Sequence, residues 1–167
     1  MVSRRTLGFA ALSMVLVLAA CKTVDEKQAM KDYLTKAQTL SQSMGDTGTR
    51  FEKLMTTHAD MTKWTNVEKT ELKTTRDAMA ALRDQAKALT VPAALTDVHP
   101  LLVKGLTEIT DTMDTIGQIS ANPSSITPDM ATTMQAKANQ AQTDLNEYLQ
   151  KLEKVVQEKY PDLMKEI

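Results

Sequence analysis

Apolar residues recur at alternating steps of three and four along most of the chain. The first such series starts at Met30, passes Phe51 and ends at Met61. This spacing places the apolar side chains on one face of an α-helix. Gly45 and Gly48 lie inside the series without shifting its spacing. We therefore expect one long first helix, with a bend or a break at the glycine pair as the alternative.

Three further series follow, and local signals mark where their helices begin. Thr65 and Glu68 have the spacing of a capping box, which indicates the start of the second helix. Pro100 lies near the start of the third helix, which either begins close to that residue or kinks there. Thr127 is placed to cap the fourth helix, with Pro128 in its first position. We predict helices at 26–62, 66–89, 93–120 and 128–159, and a C-terminal tail at 161–167.

Four amphipathic helices with short connections predict an all-α fold. The expected architecture is an antiparallel up-down-up-down four-helix bundle over residues 26–160, with a long first helix. In this arrangement Pro92 lies at the same end of the bundle as the N-terminus. The turn at Trp64 and the loop at Asn122 lie at the opposite end, where a partner could be met.

Composition excludes several classes of function. The formal charge is −1, so no basic surplus is present to bind nucleic acid. The chain has one Trp, three Tyr and two Phe, too few to favour a platform on which bases or sugars stack. No nucleophile elbow, phosphate-binding loop or zinc-protease motif occurs in the sequence. We expect a protein that is not an enzyme and that has no cofactor and no metal.

The N-terminal region has the layout of an export signal. Arg4 and Arg5 precede an apolar run that ends at Cys21, the only cysteine in the chain. The run is shorter than the roughly 20 residues that a membrane-spanning helix needs. A single cysteine forms neither an internal disulfide nor a cysteine-based metal site.

The residues Leu18, Ala19, Ala20 and Cys21 resemble the lipobox of bacterial lipoproteins. The resemblance covers residues 1–21 only, and the family of the remaining chain is not recognised. It implies that residues 1–20 are a cleaved signal peptide and that the sulfur of Cys21 carries a diacylglycerol. Residues 21–25 would then form a short lipidated tether, and two or more acyl chains would give a stable membrane anchor.

Two residues near the lipobox bear on the destination and the route of export. Lys22 stands where an aspartate would resemble an inner-membrane retention signal. It therefore favours an outer-membrane anchor facing the periplasm, if the organism has two membranes. The segment from Ser3 to Phe9 partly resembles the twin-arginine export motif, so ordinary and twin-arginine export both stay open.

Two residues of the first helix and its turn are candidates for a site. His58 lies on the apolar stripe near Met55 and Met61, so it is a speculative ligand for a metal or haem. The alternative is a half-buried histidine that is hydrogen-bonded to a neighbour. Trp64, together with Asn122, is a speculative contact for a partner. Its alternative role is to pack its ring over the end of the bundle.

Acids and methionines each allow two interpretations. Glu108, Asp111 and Asp114 step by three along the third helix, which suits either a calcium site or a solvated face. Methionines recur on the apolar stripes, where they fill a core, although a copper store also uses this residue.

Together these features predict a lipid-anchored cell-envelope protein that acts as a non-enzymatic binding or interaction module. The membrane is its expected partner through the anchor, followed by a protein of the envelope. The alternative is a periplasmic carrier of a small ligand, haem or metal in the bundle core. Few polar residues lie on the stripes to serve a carrier; they include Tyr33 and Tyr148. The oligomeric state stays open, because strict spacing of three and four also suits pairing between chains.

Overall fold

The computed structural model describes the backbone of residues 7–165 and the side chains of residues 25–124 and 126–164. This part of the chain is all-α and contains no strand. Four short 3-10 turns precede or follow its helices. The helices are α1 (Leu7–Thr57), α2 (Asn66–Lys87), α3 (His99–Ala121) and α4 (Pro128–Lys159).

The predicted lipid attachment site lies outside the described side chains. Those of Leu18, Ala19, Ala20 and Cys21 belong to the segment for which only the backbone is described. Their role therefore stays a prediction. Among the described residues, no helix combines the length and the apolarity that crossing a bilayer requires.

The helix α1 continues through Gly45 and Gly48. A Cβ atom built at Gly45 or at Gly48 would meet no other atom within 4 Å. The helix begins at Leu7, before the predicted 26, and ends at Thr57, before the predicted 62. Asp60 starts a short 3-10 turn there, because its carboxylate accepts a hydrogen bond from the backbone N–H of Thr62 at 3.1 Å.

The predicted caps of α2 and α4 are present. The hydroxyl of Thr65 accepts from the N–H of Val67 at 3.2 Å, while Glu68 Oε2 accepts from the N–H of Thr65 at 2.7 Å. The hydroxyl of Thr127 accepts from the N–H of Met130 at 3.2 Å. These bonds satisfy backbone donors that have no partner within the helix.

The helix α3 begins later than the predicted residue 93. A short 3-10 turn occupies Ala93–Leu95, and α3 starts at His99 with Pro100 in its first turn. Proline fits this position because the first turn leaves its N–H positions without an acceptor in the helix. Of the two predicted alternatives, the structure has the helix that begins close to Pro100.

The helices α3 and α4 approach each other closely. A Cβ atom at Gly105 would lie 2.7 Å from Leu145 Cγ and 3.3 Å from the backbone oxygen of Ala141. The most extensive helix contacts join α3 to α4, α2 to α3 and α1 to α2. In contrast, α1 and α4 share few or no close backbone contacts among the described residues.

The methionines of the predicted stripes lie in or against the core. Met30, Met79 and Met113 are buried, and Met44 and Met61 are partly buried and pack against the core. This placement supports their interpretation as core residues.

Ion pairs between helices account for the row of acids on α3. Arg76 on α2 donates to both carboxylate oxygens of Asp114, at 2.7 and 2.9 Å. Lys137 on α4 donates to Asp111 at 2.9 Å and lies 4.0 Å from Glu108. The side chains of Asp111 and Asp114 are each 44% exposed, so this face is partly solvated while its acids pair with cations of the two neighbouring helices.

Candidate functional site

A cleft runs between α1 and α4, with α3 beneath it. It consists of two cavities of about 500 and about 320 Å³, which share Ser41, Met44 and Leu145. Residues of α1 between Leu34 and Phe51 form one wall. Residues of α4 between positions 138 and 152 form the other wall. We call this feature the α1–α4 cleft.

Small residues on both walls leave the cleft open. Gly45 and Gly48 line it from α1, and Ala138 and Ala141 line it from α4. Since a Cβ atom at either glycine would meet open space, side chains at these positions would project into volume that is now empty. The same glycines that weaken α1 as a helix therefore create room at its surface.

The lining of the cleft is apolar, and its polar residues are uncharged. No Asp, Glu, Lys, Arg or His lines either cavity. The exposed polar residues at its rim are Gln38, Ser41, Gln142 and Asn146. Because a buried charge without a partner is costly, this cleft suits an apolar, uncharged group.

A chain of three buried polar side chains lies beside the cleft and links three helices. The hydroxyl of Tyr33 is 3.0 Å from His99 Nδ1 and 3.1 Å from the hydroxyl of Tyr148. The ring of His99 also bonds to the backbone of Ala86, which needs an N–H donor on the ring. Tyr33 then donates to Nδ1, and Tyr148 donates to Tyr33. Tyr148 itself lines the cleft.

Burial keeps these three side chains neutral near pH 7. It lowers the pKa of His99, because desolvation disfavours the imidazolium. Burial likewise raises the pKa of Tyr33 and of Tyr148 by disfavouring their phenolates. The cluster therefore adds no charge to the apolar cleft.

His58 does not lie in the cleft or in the core. It follows the end of α1, its side chain is 44% exposed, and its Nδ1 lies 3.6 Å from Glu68 Oε1. This position agrees with the alternative of a half-buried histidine beside a polar neighbour, and the role of His58 as a ligand stays a prediction. In the described part of the chain, no group of three or more His, Cys, Asp or Glu side chains is placed to hold a metal ion.

Trp64 is a core residue of the turn after α1. It is only 6% exposed, and its indole Nε1 donates to the backbone oxygen of His58 at 2.7 Å. Its predicted contact with a partner is therefore wrong, since the ring is covered by its own chain. Asn122 is exposed at the end of α3, where its side-chain oxygen accepts from Ser124 at 2.7 Å.

The comparisons with known proteins find no counterpart. No protein-family model, no curated protein and no solved structure matches this chain.

Proposed function

We propose that this chain is a lipid-anchored cell-envelope protein that acts as a non-enzymatic binding module, with the α1–α4 cleft as its binding site. The observation that carries the proposal is the cleft itself, whose larger cavity measures about 500 Å³ and has an apolar lining. Ligand sites commonly span about 300–1,000 Å³ and are mostly apolar with a few polar groups. Both properties fit a binding protein.

The proposal includes an antiparallel up-down-up-down bundle with a long first helix. Contacts at one end support it: Lys27 pairs with Asp162 at 3.5 Å, and Glu26 lies near Pro92 and Tyr160. The other pairs of neighbouring helices pack closely, so the bundle is open only at the α1–α4 cleft among the described residues.

The lipid anchor at Cys21 would attach to α1, the helix that forms one wall of the cleft. The membrane is then the first partner of the protein, at the outer membrane facing the periplasm where two membranes exist. A protein of the envelope is the second expected partner, and nucleic acid is not one.

Replacing the cysteine tests the anchor. We expect Cys21→Ala to give an uncleaved or mislocalised precursor, because the variant lacks the sulfur that accepts the diacylglycerol. Membrane fractionation and the mass of the intact chain measure this result, with Lys22→Ala as the matched control that keeps its anchor. A membrane-bound product of mature size from Cys21→Ala would contradict the anchor.

Native mass spectrometry of the chain, extracted gently from its own membranes, tests binding. We expect the acyl mass of the anchor together with an apolar adduct. The cleft also suits the alternative function, a carrier of a small ligand. Such a ligand would be extracted from the membrane together with the protein. An adduct of haem or metal mass would contradict the site, because no His, Cys, Asp or Glu side chain lines the cleft.

A further inference from the structure

We infer that the α1–α4 cleft holds the acyl chain of a separate lipid molecule. This inference rests on the proposed function and names the ligand of that site. Three properties of the cleft support it: its charge, its length and the polar residues at its rim.

The absence of charge in the lining selects a hydrocarbon. A carboxylate or a phosphate inside either cavity would have no cation to pair with, since no Lys, Arg or His lines them. A hydrocarbon chain gains instead from contact with Met44, Leu145 and the other apolar side chains of the walls. The head group of the lipid therefore stays outside the cleft.

The length of the cleft matches one acyl chain. From Leu34 to Phe51 the wall rises about 26 Å, at about 1.5 Å per helical residue. The hydrocarbon core of a bilayer is about 30 Å thick, so one chain of one leaflet spans about 15 Å. An acyl chain therefore fits along the wall while its head group stays outside the cleft.

The rim offers hydrogen bonds to a neutral linkage. Ser41, which belongs to both cavities, and the amides of Gln38, Gln142 and Asn146 are exposed along the opening. Hydroxyl and amide groups can bond to the ester or glycerol oxygens that join an acyl chain to its head group.

Photocrosslinking in living cells tests the inference with the full chain. Cells grow with a fatty acid that bears a diazirine, which they incorporate into their membrane lipids. After irradiation the protein is purified, and the adducts are located on its peptides by mass spectrometry. We expect adducts with the mass of a whole lipid on peptides that contain Met44 or Leu145.

Filling the cleft provides the matched comparison. Gly48→Leu and Gly45→Leu place side chains in the open space that the glycines leave, so we expect at least a fivefold loss of these adducts. Thr49→Leu adds a leucine at an exposed neighbour that does not line the cleft, and its adducts should equal those of the unaltered chain. Circular dichroism verifies that each variant is helical.

Each of the other possible results would refute either the acyl ligand or the anchor. Adducts that the leucines do not reduce, or a membrane-bound chain without cleft adducts, would refute the acyl ligand and leave the anchor standing. A crosslink from the peptide of Cys21 to the cleft would show that the protein's own acyl group fills it, and a crosslinked dimer would show a second copy there. Cleft adducts on a chain found only in the soluble fraction would refute the anchor and keep the ligand.

Discussion

Many threonine hydroxyls in the described helices donate to a backbone oxygen of the preceding turn, although the hydroxyl of buried Thr75 has no partner. The hydroxyl of buried Thr47 donates to the backbone oxygen of Ser43 at 2.8 Å, and that of buried Thr110 donates to Leu106 at 2.8 Å. Such bonds to the preceding turn remove the cost of burying a hydroxyl, although threonine is a mediocre helix former. Threonine at these positions is therefore compatible with packed helices.

Gly105→Ala is expected to destabilise the protein by about 1–2 kcal/mol. The added methyl would overpack the contact with Leu145 and the backbone of Ala141, which costs about 1–3 kcal/mol. The better helix propensity of alanine offsets up to about 1 kcal/mol of that cost. Urea unfolding followed by circular dichroism measures the change in the free energy of unfolding.

Gly45→Ala is the control for that experiment. The position has the same residue type in a helix, but nothing lies within 4 Å of the new methyl. We expect a gain of about 0.5–1 kcal/mol from helix propensity alone. Equal effects at the two glycines would contradict the close approach of α3 and α4.

His99 makes the stability of the fold depend on pH. Burial lowers its pKa, so the unfolded chain binds a proton more readily than the folded chain. Neutral His99 contributes fully to the free energy of unfolding above about pH 6.5, the pKa of histidine in the unfolded chain. This contribution is lost as the pH falls from there towards the lower pKa of His99 in the folded chain. The free energy of unfolding should therefore decrease between pH 7.5 and pH 5.5.

Urea unfolding at several pH values, with variants of both histidines, measures this effect. The pH dependence should be weaker in His99→Gln, because the titrating group is gone. It should persist in His58→Gln, since that variant keeps the buried imidazole of His99. A slope that stays the same in His99→Gln would refute the assignment.

At the scale of the element, the capping box sets the start of α2. Thr65→Ala removes the hydroxyl that accepts from the N–H of Val67, and we expect a loss of about 1 kcal/mol in the free energy of unfolding. Thr70→Ala is the control, because that exposed hydroxyl only donates back to Asn66 and alanine is the better helix former. A loss at Thr70 as large as at Thr65 would argue against the cap.

Helix positions were predictable where the signals are local. The spacing of apolar residues and the caps at Thr65 and Thr127 correctly placed the starts of α2 and α4. The end of α1 and the start of α3 differ from the prediction. In both places a short 3-10 turn replaces helix, at Asp60 and before Pro100, and periodicity does not distinguish a single such turn from a helix end.

The cleft and the polar cluster were not predictable in the same way. The spacing placed Tyr33 and Tyr148 on apolar stripes, but it did not pair them, because they are 115 positions apart in the sequence. The cleft depends on how far α1 stands from α4, which no pattern within one helix contains. The clearest signal was Gly45 and Gly48, two glycines on one long helix.

At the scale of the whole molecule, α1 combines two roles in the proposed function. The same helix would carry the anchor at its start and form a wall of the cleft from Leu34 to Phe51. The site would therefore stand close to the membrane that supplies its ligand. An acyl chain could then pass between bilayer and cleft with little exposure to water.

The α1–α4 cleft also implies that the helices differ in how readily they unfold locally. The main contacts of α1 are with α2, whereas α3 packs on both α2 and α4. We expect amide hydrogens of α1 between Leu34 and Phe51 to exchange with deuterium faster than those of α3. Mass spectrometry of peptides after timed labelling measures both rates, and equal protection of the two helices would contradict this expectation.

A chain in the cleft would bridge α1 to α4 and slow exchange in both walls together. Protection of the amide hydrogens from exchange would then show that the cleft is occupied, even where the average positions of the helices do not move. The vacant space beside Gly45 and Gly48 would thus leave α1 a separately opening unit that its ligand joins to the other three helices.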